Sequence, residues 1–275
     1  MNYARILSLA LLFICLISSL ALARFVYILP SRVRARGPPT SDRRPNHRRC
    51  SVAIFLGSGG HTAEMLKLVS ALSPARYGPR VYLISGTDAF SRSKVQSFEA
   101  SMSAARSAAA AASGAEGDDG EASDYAVKVL PRARAVKQSF LTSPITTIIS
   151  FAACFQLIVL PVIKARLGMA TSAGAQGDAP LSADTAAMFK THAFDVVLMN
   201  GPGTCVPLVA AVYVLRFVGM PSPKLLYVES FARVKSLSLT ARILRPFVDR
   251  FVVQWPEAAG KAGHSDGAVC TGWLV

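Results

Sequence analysis

The sequence predicts a doubly wound α/β domain carried behind an amino-terminal membrane helix. Three observations point there. An uncharged apolar run fills residues 6–23. From residue 50 onward, short β-rich apolar runs alternate with segments of helical period, the pattern of a parallel sheet covered on both faces. Glycine-rich turns follow two of those runs and open helices, as expected where a parallel sheet holds a ligand at the carboxyl ends of its strands.

The membrane segment comes first. "ILSLALLFICLISSLALARFVYIL", residues 6–29, is interrupted only by Arg24. As a helix it spans roughly 36 Å, enough for a hydrocarbon core of about 30 Å, with Arg24 snorkelling to the interface. A cleaved signal peptide is the rival, since "ALA" at 21–23 is an acceptable cleavage site. The run is long for a signal peptide, however, and its charge lies on the far side. Only Arg5 precedes it, whereas Arg32, Arg34, Arg36, Arg43, Arg44, Arg48 and Arg49 follow. We therefore expect an anchor over 1–30, a basic linker over 31–49, and a body held in the cytosol by those arginines.

The body, 50–275, is expected to alternate. Strands are predicted at 51–56, 80–85, 125–130, 195–200, 224–229 and 250–255. Helices are predicted at 62–72, 89–99, 205–218 and 236–245. Two stretches, 100–123 and 169–184, are rich in Ala, Gly, Ser and acid. They have too little apolar content to offset the entropy of ordering and read as low-complexity surface insertions. A third, "ITTIISFAACFQLIVLPVI" at 145–163, is long enough to span a membrane, but a span there would put two halves of one sheet on opposite sides of the bilayer. It is either a buried crossover helix or one lying in the membrane interface.

Charge and cysteines narrow the class. The formal net charge is +14, of which residues 1–49 contribute nine Arg against one Asp. The excess is thus a local basic segment with no interleaved aromatics, which argues against nucleic acid as a partner. Cys15, Cys50, Cys154, Cys205 and Cys270 are scattered without zinc-site spacing or a disulfide framework, so reduced thiols in a cytosol-facing domain are expected; with no metal-ligand cluster in the sequence, neither a metal nor a cofactor is expected.

Chemistry concentrates after the strands. In "IFLGSGGHTAEML", Gly57, Ser58, Gly59 and Gly60 let backbone amides approach an anion at a helix amino terminus, and His61 stands beside them as a phosphate ligand or base. The loop lacks the third glycine of a dinucleotide fingerprint and the Lys of a P-loop. "LPRARAVKQS" supplies Arg132 and Arg134. "NGPGTCVP" supplies Asn200, Gly201 and Gly203 at a second helix start. "VESFARVKSLS" supplies Glu229, placed with His61 near a reacting hydroxyl, and Arg233 and Lys235 for phosphates.

Together "LGSGGHTAEML", "PRARAVKQS", "LMNGPGTCVP" and "VESFARVKSLSLTARIL…FVVQWPE" resemble one family, asparagine-linked glycosylation protein fourteen. That family is the membrane-anchor subunit of the UDP-N-acetylglucosamine transferase of the dolichol pathway. The resemblance implies the Rossmann-like, acceptor-side half of a split two-domain glycosyltransferase, inactive alone. It implies a cytosolic catalytic partner carrying the UDP-sugar pocket, a dolichol-diphosphate-linked acceptor, and a place in the endoplasmic reticulum membrane. The apolar residues Trp273, Leu274 and Val275 are expected to bury against that partner, or else in the crevice of their own domain. Two rivals stand beside this reading: a membrane-anchored nucleotide-dependent oxidoreductase, with Asp88 on a ribose, and a scaffold without enzymatic activity.

Overall fold

The computed structural model describes residues 2–30, 49–86, 88–113, 124–134, 138–139, 141–169, 194–259, 268–270, 272 and 274. Among these residues seven strands form one wholly parallel sheet: β1 (Cys50–Leu56), β2 (Tyr77–Ser85), β3 (Tyr125–Leu130), β4 (Val196–Met199), β5 (Lys224–Val228), β6 (Arg250–Val253) and β7 (Ala268–Cys270). Their order is β3-β2-β1-β4-β5-β6-β7. The strand order therefore reverses between β1 and β4. In a doubly wound fold the ligand crevice opens outside the strand ends at that point.

Strand alternation divides the core into two layers. Ala53, Phe55, Val197, Met199 and Tyr227 pack with residues of α4 (Ser143–Arg166), α5 (Cys205–Phe217) and α6 (Leu239–Leu244). Val52, Ile54, Leu56, Tyr82 and Ile84 pack against α2 (Gly60–Ser70) and α3 (Ala89–Ser113). A short helix, α7 (Pro256–Ala259), follows β6. On the α2–α3 side a buried ion pair joins β2 to α3: Arg80 donates to both carboxylate oxygens of Glu99, at 2.8 and 2.6 Å, and Tyr82 donates to the same carboxylate.

The amino-terminal helix, α1 (Asn2–Ile28), has an exposed apolar surface and the length and composition of a membrane span. Its base is fastened to the body. Ile28 joins the core, and Arg24 donates from Nε to the Phe217 carbonyl and from Nη2 to that of Arg216, both at 3.0 Å. A guanidinium there satisfies the last carbonyls of α5 and meets the negative end of its dipole.

α4 passes the same length test as α1, but it links β3 to β4 of one sheet and buries Cys154, Ile158, Val159 and Val162 against the core. It is a crossover helix, not a second span. Its first turns nevertheless leave Ile145, Ile148 and Ile149 exposed, behind an exposed Leu141.

Two elements differ from the sequence reading. Helix α3 runs on to Ser113, through the first half of the stretch taken as the 100–123 insertion. Alanine has the highest helix propensity, so an Ala-rich surface run extends a helix without needing a core. The strand β7 was not expected at all. The linker 31–48, residues 114–123 and residues 170–184 lie outside the described residues.

Candidate active site at the sheet switch point

The loops after β1 and β4 meet. Gly57, at the end of β1, faces His61 and Pro202; a Cβ on it would lie 2.8 Å from the His61 Cβ and 3.0 Å from Pro202 Cδ. Gly201, at φ +88°, faces the His61 ring across the crevice. Both glycines are required by close approach, and Gly201 also by its left-handed backbone. The hydroxyl of Thr62 donates to the Gly57 carbonyl and closes the turn.

The amino terminus of α2 is open. Gly59 occupies the cap position at φ 64°, ψ −121°, so the first turn has no side-chain cap. Ser58, Gly59 and Gly60 are exposed, so free N–H groups and the positive end of the helix dipole face the crevice. Beside them is a cavity of about 280 Å³ lined by Ser58, Gly59, Asp88, Phe90, Ser91, Lys94 and Arg132. Two cations and a set of open amides in one cavity suit a phosphate or diphosphate. Asp88 is tied to the start of α3: its carboxylate accepts from the Ser91 amide at 3.1 Å and the Ser91 hydroxyl at 2.7 Å.

Behind the cavity, Glu64 holds three loops together. One turn after His61, its Oε2 accepts from Asn200 Nδ2 at 2.9 Å, and its Oε1 accepts from Ser230 Oγ at 2.9 Å. His61 Nδ1 stands 3.9 Å from the same Oε2. Two buried polar atoms around this carboxylate, His61 Nδ1 and Asn200 Oδ1, have no hydrogen-bond partner among the described residues. Such atoms are costly unless a ligand or water completes them.

The other residues singled out from the sequence separate. Glu229 is buried, and its carboxylate is claimed by backbone: it accepts from the amides of Ser230 at 2.9 Å and Ser238 at 2.8 Å. It therefore shapes the β5–α6 loop, and the carboxylate beside His61 is that of Glu64. Arg134 donates from Nε and Nη2 to the Gln138 carbonyl, at 3.0 and 2.7 Å, which folds its own loop. That loop is pinned against the site by Ala133, whose amide donates to Thr204 Oγ1 at 3.2 Å and whose carbonyl accepts from Thr146 at 2.7 Å. Gly203 and Arg233 are exposed on the crevice loops. The Leu274 amide donates to Gln254 Oε1 at 3.4 Å, which lays that segment near the end of β6; Trp273 and Val275 lie outside the described residues. Glu64 and Lys94 were not singled out from the sequence. The only hint of Glu64 was its position one helical turn after His61.

Residues 52–270 match the family model described as oligosaccharide biosynthesis protein Alg14 like. The chain is 34% identical over 255 residues to the UDP-N-acetylglucosamine transferase subunit ALG14 of Cryptococcus neoformans, covering 92% of this chain and 91% of that one. It is 38% identical to the Schizosaccharomyces pombe subunit alg14 over 208 residues, 76% of this chain and 77% of that one. With the human subunit ALG14 it shares 34% over 209 residues, 75% and 76% of the two chains. Among solved structures, MurG of Acinetobacter baumannii superimposes with a TM-score of 0.39 at 12% identity, covering 76% of this chain and 41% of that one. The chain belongs to the Alg14 family.

Proposed function

We propose that this chain is the membrane-anchoring, acceptor-binding subunit of a UDP-N-acetylglucosamine transferase. The transferase adds the second N-acetylglucosamine to N-acetylglucosaminyl-diphosphodolichol on the cytosolic face of the endoplasmic reticulum. The observation that carries the reading is the meeting of two glycine-rich loops at the switch point, with His61 between them. The partner subunit brings the UDP-sugar to this edge. The acceptor diphosphate lies on the amides of Ser58–Gly60 with Lys94 and Arg132, which sets its sugar hydroxyl toward His61. The hydroxyl oxygen attacks C1 of the donor sugar, its proton passes to His61, and UDP leaves with the electrons of the C1–O bond. Glu64 stands 3.9 Å behind the imidazole as the carboxylate that faces the ring when it takes the proton, while Asn200 and Ser230 hold Glu64. Trp273, Leu274 and Val275 contact the partner. The helix α1 spans the bilayer once, and the arginines after it keep the body in the cytosol.

Reconstitution tests this. Transfer from UDP-N-acetylglucosamine to the diphosphodolichol acceptor requires both chains, and His61→Ala lowers it on the order of 10²-fold while still recruiting the partner to membranes. No transfer with both chains present overturns the reading. Recruitment without any acceptor-dependent turnover leaves the scaffold. Oxidation of reduced nicotinamide would favour the oxidoreductase, against which the engagement of Asp88 by Ser91 already stands. Protease added to sealed microsomes degrades the body if the topology is right.

A further inference from the structure

A groove runs the length of α5 on the outer face of the α4–α5 layer. Its floor is a stripe at helical spacing, Val206, Val209, Ala210, Tyr213, Val214 and Phe217. Its walls are Phe25 of α1, Phe151 of α4, and Ile243 and Phe247 at α6 and the turn after it. The one hydroxyl in the lining, that of Tyr213, is occupied: it donates to the Phe247 carbonyl at 2.9 Å. One end lies beside Val206, two residues after Thr204 of the glycine-rich loop; the other lies at Phe217, where Arg24 fastens the base of the membrane helix.

We propose that this groove seats the hydrocarbon tail of the lipid-linked acceptor, leading it from the bilayer beside α1 to the start of α5, whose loop meets the diphosphate site at the start of α2. The proposal rests on the acceptor-side reading above. Three features select this occupant. A bound strand or loop would bring backbone N–H and C=O groups, and the lining offers them no partner. The cavity holds about 500 Å³ along a floor of about 18 Å, a bore about 6 Å across, where a helix with side chains needs about 10–12 Å. The groove is also continuous with the apolar surface of α1 at Phe25, so a tail passes from membrane to groove without crossing water.

The test uses the complex with its partner subunit in phospholipid nanodiscs, supplied with UDP-N-acetylglucosamine. Two acceptors are compared, one with a full polyprenyl tail and one cut to two isoprene units. Wild type favours the long tail in kcat/KM by at least about 10-fold. Ala210→Trp, filling the exposed floor, removes that preference by lowering the long-tail value alone. A second variant, Ile243→Trp, fills the groove from its wall, and recruitment of the partner to membranes reports that either variant is folded. Equal effects on both acceptors, or none, overturn the proposal. So does a photoreactive phosphatidylcholine that labels the stripe as well as a photoreactive polyprenyl diphosphate does, which would assign the groove to bulk lipid. Shielding of the stripe by the partner chain would overturn it too. Wild-type transfer to neither acceptor would instead sink the functional reading, and transfer to both without tail preference would sink the groove alone.

Discussion

Gly201 and His61 are locked face to face: a Cβ on Gly201 would sit 2.6 Å from both Cε1 and Nδ1 of the imidazole. Gly201→Ala must therefore move the ring or the β4–α5 loop, and its φ of +88° adds strain of about 1–3 kcal/mol. We expect a lower melting temperature and a loss of transfer at least as large as that of His61→Ala. Wild-type turnover in this variant would remove His61 from the chemistry.

Gly59 and Gly60 are adjacent but not equivalent. Gly59 has φ +64°, whereas a Cβ on Gly60 meets nothing within 4 Å. Gly59→Ala should cost about 1–3 kcal/mol. Gly60→Ala, in the first turn of α2, should be neutral or stabilising by up to about 1 kcal/mol. A fall in transfer for Gly60→Ala with an unchanged melting curve would locate the anion at this loop; unchanged KM for the acceptor would remove it from there.

Glu64→Ala leaves Asn200 Nδ2 and Ser230 Oγ without their acceptor, at a cost of about 1–3 kcal/mol for each buried group. Glu64→Gln keeps one carbonyl oxygen and should recover part of that stability. Denaturant titration of the two variants beside wild type measures the difference. Turnover that stays low in Glu64→Gln after stability returns would separate the carboxylate's effect on His61 from its effect on the loops.

The Arg80–Glu99–Tyr82 cluster lies on the opposite face from the groove. Glu99→Ala strands a buried guanidinium and should cost about 3–5 kcal/mol. Because Arg80 pairs with Val52 and Tyr125 near the starts of the strands and the crevice loops follow their carboxyl ends, turnover per folded molecule should hold at permissive temperature. Loss of specific activity in the folded fraction would show that the Glu99 contact positions the Lys94 end of α3.

Alkaline pH should destabilise the domain. Burial, with Glu99 adding to it, raises the Tyr82 phenol; burial also raises Tyr227, and it lifts Tyr213 to about 12. An unfolded phenol titrates near 10, so above about that pH the unfolded chain binds fewer protons than the native one. The contribution is whole below pH of about 10 and falls as pH rises beyond it, toward the raised native values. Thermal melts across that range should show the loss, with a shallower slope in Tyr82→Phe. A flat profile would mean that these phenols ionise in the native state.

The sheet was largely legible because six of its strands are apolar runs bounded by turn residues, and the glycine loops declare themselves by composition. What escaped has physical causes. The strand Ala268–Cys270 is three residues long, too short to show a period. The far end of α3 is an Ala and Ser run whose composition reads as low complexity although alanine favours helix. Glu64 is one helical turn past the loop, and its partners Asn200 and Ser230 are 136 and 166 residues away, so only the folded chain brings them together. Glu229 illustrates the converse. A carboxylate at a strand end reads as chemistry, but two backbone amides nearby claim it.

The bond from Arg24 to the end of α5 has a mechanical consequence. Helix α5 begins at the glycine-rich loop and finishes under that guanidinium, so one stiff rod joins the bilayer segment to the crevice. A bilayer thinner or thicker than α1 changes the tilt of that helix. The tilt then reaches the loop as a lever stroke instead of being absorbed by a slack tether. Turnover in nanodiscs of graded acyl length should therefore show an optimum thickness, and Arg24→Ala should flatten that optimum while leaving the protein in the membrane.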